Sequence, residues 1–230
     1  MLLKSIKDIQ IENGIWTITR SDILSLDIIY DNLLSFSYSG TNRIVDQKIE
    51  NAIFPPFAQV FYSLIYQFKK LPSEDDFFSE YLKWLKVELK NLHFVYKNEQ
   101  YSIDGLKARI FRTYPSLIRE IHFYYYLLNS KEFDNVNYSL SKDYFEGIDI
   151  TIMYNKVKYS LSIHTATNRA KKYKITKNDR HNYNDVNEIV LSDEFHKLNK
   201  FGDFYLLGDF QLKELLENLN HRNQFAQGIR

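Results

Sequence analysis

The chain has 230 residues, 44% of them hydrophobic and 26% charged, enough to bury a core as one large domain or as one domain with a helical extension. A formal net charge of +1 excludes a molecule whose overall field attracts nucleic acid, so any such role must come from local clustering of charge. The lack of cysteine excludes disulfides, thiolate zinc sites and cysteine nucleophiles, while 18 Tyr and 17 Phe supply rings for the core and for a binding face.

The segment Met1 to Asp8 has no continuous apolar run, so no secretory signal is expected. No window of about 18 uncharged apolar residues exists, so no membrane span is expected and a cytoplasmic location is the default. Gly14 to Thr19 alternates like a short strand. Pro55-Pro56 opens a helical stripe of Phe57, Val60, Phe61, Leu64, Ile65 and Phe68, which Leu71-Pro72-Ser73 stops. Ser73 with Asp76 reads as a capping box, and Phe77, Phe78, Tyr81, Leu82, Leu85 and Leu89 continue as one stripe. The polar stretch from Asn98 to Arg112 marks a soft boundary between a mainly helical region, 1–110, and an α/β core, 111–230, which can also form one continuous domain.

Beyond it, Pro115 suits the first turn of a helix, with Leu117, Ile121, Tyr124 and Leu128 on one face. Asn135 to Leu140 reads as a strand. Ile148 to Ile152 alternates, Tyr154 to Val157 turns, and Lys158 to Thr165 alternates again, so a hairpin is expected. Phe204 to Leu207 reads as a buried strand and Asp209 as the cap of a last helix through Leu219. The fold class expected from this order is α+β, or mixed α/β.

Asp149 stands out because it sits between Ile148 and Ile150 in an otherwise apolar strand, where a carboxylate needs a partner, a metal or water. On the next strand Ser160, Ser162, His164 and Ala166 share a small polar face, opposite Tyr159, Leu161, Ile163 and Thr165. Glu120 lies about 60° from the centre of the Leu117/Ile121/Tyr124/Leu128 stripe at about 100° per residue, an angle that can aim it at the hairpin edge.

A helix bearing a Glu, a strand entering with G-I-D-I-T-I, a tight turn and a strand reading L-S-I-H-T-A-T together resemble the PD-(D/E)XK, or restriction-endonuclease-like, nuclease core over residues 113–210. The resemblance implies a central mixed sheet flanked by helices and a Mg²⁺- or Mn²⁺-dependent endonuclease acting on DNA. It assigns Asp149 and Glu120 as metal ligands, puts Ser162 where the second acid of the motif belongs, and puts His164 in place of the lysine. Serine is a poor ligand for a hard divalent cation, whereas the reference pKa of histidine, about 6.5, suits the orientation or deprotonation of water. Glu146 could replace the lost acid, and two carboxylates favour one metal over two. The alternative is a catalytically inactive member of the same fold that binds DNA or a protein partner, for instance in a defence or phage system. A homodimer stays open.

A basic run follows the hairpin: Arg169, Lys171, Lys172, Lys174, Lys177 and Arg180, interleaved with Tyr173 and Tyr183. Such a mixture grips phosphates and stacks unpaired bases, so these residues, Tyr173 included, are the expected nucleic-acid contacts. No zincin, P-loop, dinucleotide-binding or nucleophile-elbow motif occurs, and the six histidines have no zinc-ligand spacing.

Overall fold

The computed structural model describes residues 9–12, 15–18, 23–40, 44–87, 89–165 and 187–228. The fold is α+β, with a four-stranded mixed sheet. The chain divides into two compact units. A helical unit takes in the described residues of 23–118 with 202–204, and a sheet unit takes in the rest.

In the sheet unit, β1 (Ile9–Glu12) pairs antiparallel with β2 (Ile15–Ile18), where alternation predicts a strand. The helical unit opens with α1 (Leu26–Ser35) and α2 (Gln47–Asn51), capped by Ser25 and Asp46. The two stripes form helices α3 (Phe57–Phe68) and α4 (Glu74–Leu85), and the Ser73–Asp76 capping box is formed in both directions. The α4 stripe ends earlier than its spacing predicts. Lys86 takes the left-handed conformation (φ 52°) and stops the helix. Leu89 instead begins a three-stranded antiparallel sheet, β3 (Leu89–Lys90), β4 (His93–Tyr96) and β5 (Glu99–Ser102). The polar stretch from Asn98 to Arg112 is thus a tight turn, a strand and the first turns of the next helix.

That helix, α5 (Ile103–Ser130), starts twelve residues before Pro115, so Pro115 lies in its interior rather than in its first turn. An interior proline leaves the carbonyl four residues earlier without its amide. That carbonyl belongs to Phe111, and the Tyr38 hydroxyl donates to it at 3.4 Å. The core of the helical unit is aromatic: Phe61 meets Phe77 at 5.5 Å and Tyr114 at 6.1 Å, edge to face. The buried phenols are matched to carbonyls. Tyr81 donates to Pro55 at 2.6 Å and Tyr114 to Pro72 at 2.7 Å, and burial pushes both pKa values well above the ordinary range. Glu50, on α2, is ion-paired with Arg112 of α5, both largely buried.

The sheet unit continues with the end of α5, β6 (Asn135–Asn137), α6 (Leu140–Glu146), β7 (Ile150–Tyr154), β8 (Val157–Thr165) and β9 (Glu188–Asp193). A 3-10 turn (Phe195–Lys197), β10 (Asn199–Phe201), β11 (Phe204–Leu206) and α7 (Asp209–Gly228) follow. Asn135 to Leu140 is only half a strand. It stops at Asn137, and the Ser139 hydroxyl caps α6, which Gly147 ends at φ 68°. The last helix runs nine residues past Leu219.

The sheet order is β6-β7-β8-β9, with β7 antiparallel to both neighbours and β9 parallel to β8. The β7–β8 turn has two residues, Asn155 and Lys156, with φ of 50° and 64°. These are the signs a type I′ turn needs to follow the strand twist. The two faces differ sharply. Ile150, Ile152, Tyr159, Leu161, Ile189 and Leu191 are buried on one. There α7 is anchored by Tyr154 to Asn220 and Tyr159 to Asn223, both at 2.8 Å. Among the described residues no helix is long and apolar enough to cross a membrane.

Candidate functional site

The other face of the sheet carries Asn137, Thr151, Ser160, Ser162, His164, Glu188 and Ser192, since directly paired residues share a face. Its centre is nevertheless buried: Thr151, Ser160 and Ser162 are 8%, 1% and 9% exposed. Buried hydroxyls require partners, and those of Ser162 define the site. Its Oγ lies 2.8 Å from Glu188 Oε1 and 3.1 Å from the Gly147 carbonyl, so a single proton is shared between a carboxylate on β9 and the loop that enters β7.

Asp149 stands just before β7. Its amide donates to the Leu161 carbonyl at 2.9 Å, and its Oδ2 accepts from the Ile163 amide. The regular ladder begins one residue later, at Ile150 with Leu161. The Asp149 carboxylate therefore occupies the acceptor position that a backbone carbonyl would fill in a longer strand. This ties it to β8 one residue beyond Ser162, and makes the carboxylate a hinge post of the hairpin as well as a candidate ligand.

His164 is half-buried on the Ser162 face and is paired in register with Ser192 of β9. Asp149, Ser162, His164 and Ser192 thus gather at one end of the sheet, where β8 and β9 both finish. In sheets with parallel strands this carboxyl end is where ligands bind. Glu120 is half-exposed on α5, one residue after the buried Arg119. Glu146 is exposed in the last turn of α6. Among the described residues, no group of three or more His, Asp or Glu is placed to hold a metal ion. The expected nucleic-acid contacts, Arg169, Lys171, Lys172, Tyr173, Lys174, Lys177 and Arg180, lie outside the described residues.

Glu188 is the residue that sequence reasoning passes over. The run Glu188-Ile189-Val190-Leu191 is a strand signal, but nothing in it says that the strand lies parallel to β8. Only that pairing, Ser160 with Glu188, brings the carboxylate within reach of Ser162. Elsewhere in the sheet unit His122 is 1% exposed on α5 beside Tyr126, and burial pulls its pKa down from 6.5 to about 4. A surface pocket lined by Leu64, Phe68, Lys70, Pro72, Asp76 and Lys83 belongs to the helical unit and shares no residue with this set.

No protein-family model matches the chain, and no curated protein or solved structure matches it either.

Proposed function

We propose that the sheet unit is a metal-dependent endonuclease of the restriction-endonuclease-like kind, acting on DNA, with Glu188 in the role of the acid that Ser162 replaces. The observation that carries this reading is the Ser162 hydroxyl, whose bond to Glu188 Oε1 brings a second carboxylate to the strand position next to the Asp149 anchor. The donor set is all oxygen and hard, which fits one Mg²⁺ or Mn²⁺ completed by water better than a two-metal clamp. Asp149 and Glu188 would hold the ion, with water completing its shell. When bound, such an ion supplies charge neutralisation at the phosphate and an acidified water. His164, at the mouth of the same sheet end, would hold or accept the proton of the attacking water.

The test compares wild type with Asp149→Asn and Glu188→Gln on duplex DNA, single-stranded DNA and RNA, with Mg²⁺ or Mn²⁺ and with EDTA. Asparagine keeps an oxygen acceptor for the Ile163 amide, so Asp149→Asn should abolish cleavage and leave the urea midpoint where it was. Full activity in either variant sinks the assignment.

One observation favours a second reading, a binding-only member of the fold: the Asp149 carboxylate is already engaged by the Ile163 amide. Metal titration separates the two readings. A binding-only protein gives no heat with Mn²⁺ that depends on Asp149.

A further inference from the structure

We infer that Asn187 and Arg222 are positioning residues for Glu188: together they pin the start of β9 from both sides and so hold the Glu188 carboxylate against Ser162. The inference rests on the metal site proposed above, and adds the last helix to the parts of the chain that the site needs.

Among the described residues β9 is an edge of the sheet, and Glu188 is its first residue. The start of an edge strand is where pairing opens most readily, because one side has no neighbouring strand and the ladder has only begun. A carboxylate placed there keeps a fixed position only if its backbone is held by more than the ladder. The ladder supplies one bond at this point, from the Ser160 amide to the Asn187 carbonyl at 3.2 Å. Asn187 adds a second on the same side. Its side-chain amide donates to the carbonyl of Lys158 at 3.2 Å, two residues before Ser160, where the register of the two strands begins.

Carbonyls alternate in direction along a strand, so with that of Asn187 facing β8 the carbonyl of Glu188 faces the open edge. There a guanidinium nitrogen of Arg222, on α7, donates to it at 3.1 Å. Arg222 is exposed, but the helix that carries it is fixed. Asn220 and Asn223, to either side of it, accept from Tyr154 of β7 and Tyr159 of β8, both at 2.8 Å. A guanidinium is always charged, so its bond to a carbonyl is charge-assisted. It takes the main chain of Glu188 and leaves the side chain on the polar face, with Oε1 2.8 Å from the Ser162 hydroxyl. The backbone at Glu188 is thus tied to β8 on one side and to α7 on the other, and its carboxylate is left to Ser162 and an ion.

The experiment reads the Glu188 carboxylate in the full chain, without metal and with it. Without metal, the carboxyl carbon resonance of Glu188 is identified in protein carrying isotope-labelled glutamate by its loss in Glu188→Gln. Ser162→Ala gives the position that this resonance takes once the hydroxyl no longer donates. Arg222→Met and Asn187→Ala should each move it at least halfway to that position, and Arg222→Lys, which keeps a charged donor, should move it less. With metal, calorimetry should show Mn²⁺ binding about tenfold weaker in Arg222→Met. The same substitution should change the residual binding of Glu188→Gln no further. A general loosening of the fold behaves differently: it weakens binding by the same factor in both backgrounds and lowers the urea midpoint. A Glu188 resonance that stays at its wild-type position overturns the role of Arg222 in Arg222→Met and that of Asn187 in Asn187→Ala. Equal weakening of Mn²⁺ binding in the two backgrounds also overturns the role of Arg222. A wild type that takes up no Mn²⁺ removes the metal site, and the resonance alone then decides the positioning.

Discussion

The two faces of the four-stranded sheet are made by the same strands and obey different rules. On one, Ile150, Ile152, Leu161 and Ile189 are packed out of contact with water, and their value lies in area removed and in close fit. On the other, Thr151, Ser160 and Ser162 are about as deeply buried but carry hydroxyls, so their value depends on each finding a partner. A substitution on the apolar face is expected to act through the fold, whereas one on the polar face can act at the proposed site while the fold stands.

The widest separation is expected between Leu161 and Asp149, neighbours across β7 and β8. Leu161→Ala should cost about 3 kcal/mol in urea unfolding by opening a cavity, whereas Asp149→Asn should leave stability unchanged and remove cleavage. If both variants lose stability equally, the division between faces fails. A comparable effect comes from His122, buried on α5. Its pKa is 6.5 when exposed and about 4 in the fold, so the unfolded chain binds the proton first as pH falls. Its neutral form is fully tolerated above pH 6.5, and stability should drop between pH 6.5 and about 4 by about 3 kcal/mol, at 1.36 kcal/mol per pKa unit. His122→Gln should flatten that part of the pH profile in thermal or urea unfolding, and an unchanged slope refutes the assignment. The smallest effect belongs to Ser162→Ala, which removes one shared hydrogen bond and leaves Glu188 to water; roughly 1 kcal/mol is expected, together with a change in metal affinity that calorimetry can read.

Asp149 was legible in the sequence because a carboxylate between two isoleucines violates the local pattern, and the hairpin was legible because its alternation is clean on both sides of the turn. Glu188 was not, since the pairing of β9 with β8 is a long-range parallel contact that no local periodicity encodes. Pro115 misleads for a related reason. As a first-turn signal it is sound, but the Phe111 carbonyl finds the Tyr38 hydroxyl, a residue 73 positions away, so α5 can run through it. The strand at Asn135 is cut short by a cap, Ser139, whose serine looks like any other strand residue until its hydroxyl is seen to accept from Lys142. The aromatic surplus was visible as composition, but the carbonyls that its buried phenols find were not, since Pro55 and Pro72 lie 26 and 42 positions from Tyr81 and Tyr114.

The two-residue turn at Asn155 and Lys156 bears on how this chain can change over generations. A loop elsewhere tolerates added residues at little cost, but here the count of residues sets which side chains of β8 look which way. An insertion between Tyr154 and Val157 that slipped the register by one residue would send Ser162 and His164 to the packed side and bring Leu161 and Ile163 to the polar one. A change of length at this turn should therefore be tolerated less well than in a loop that sets no register.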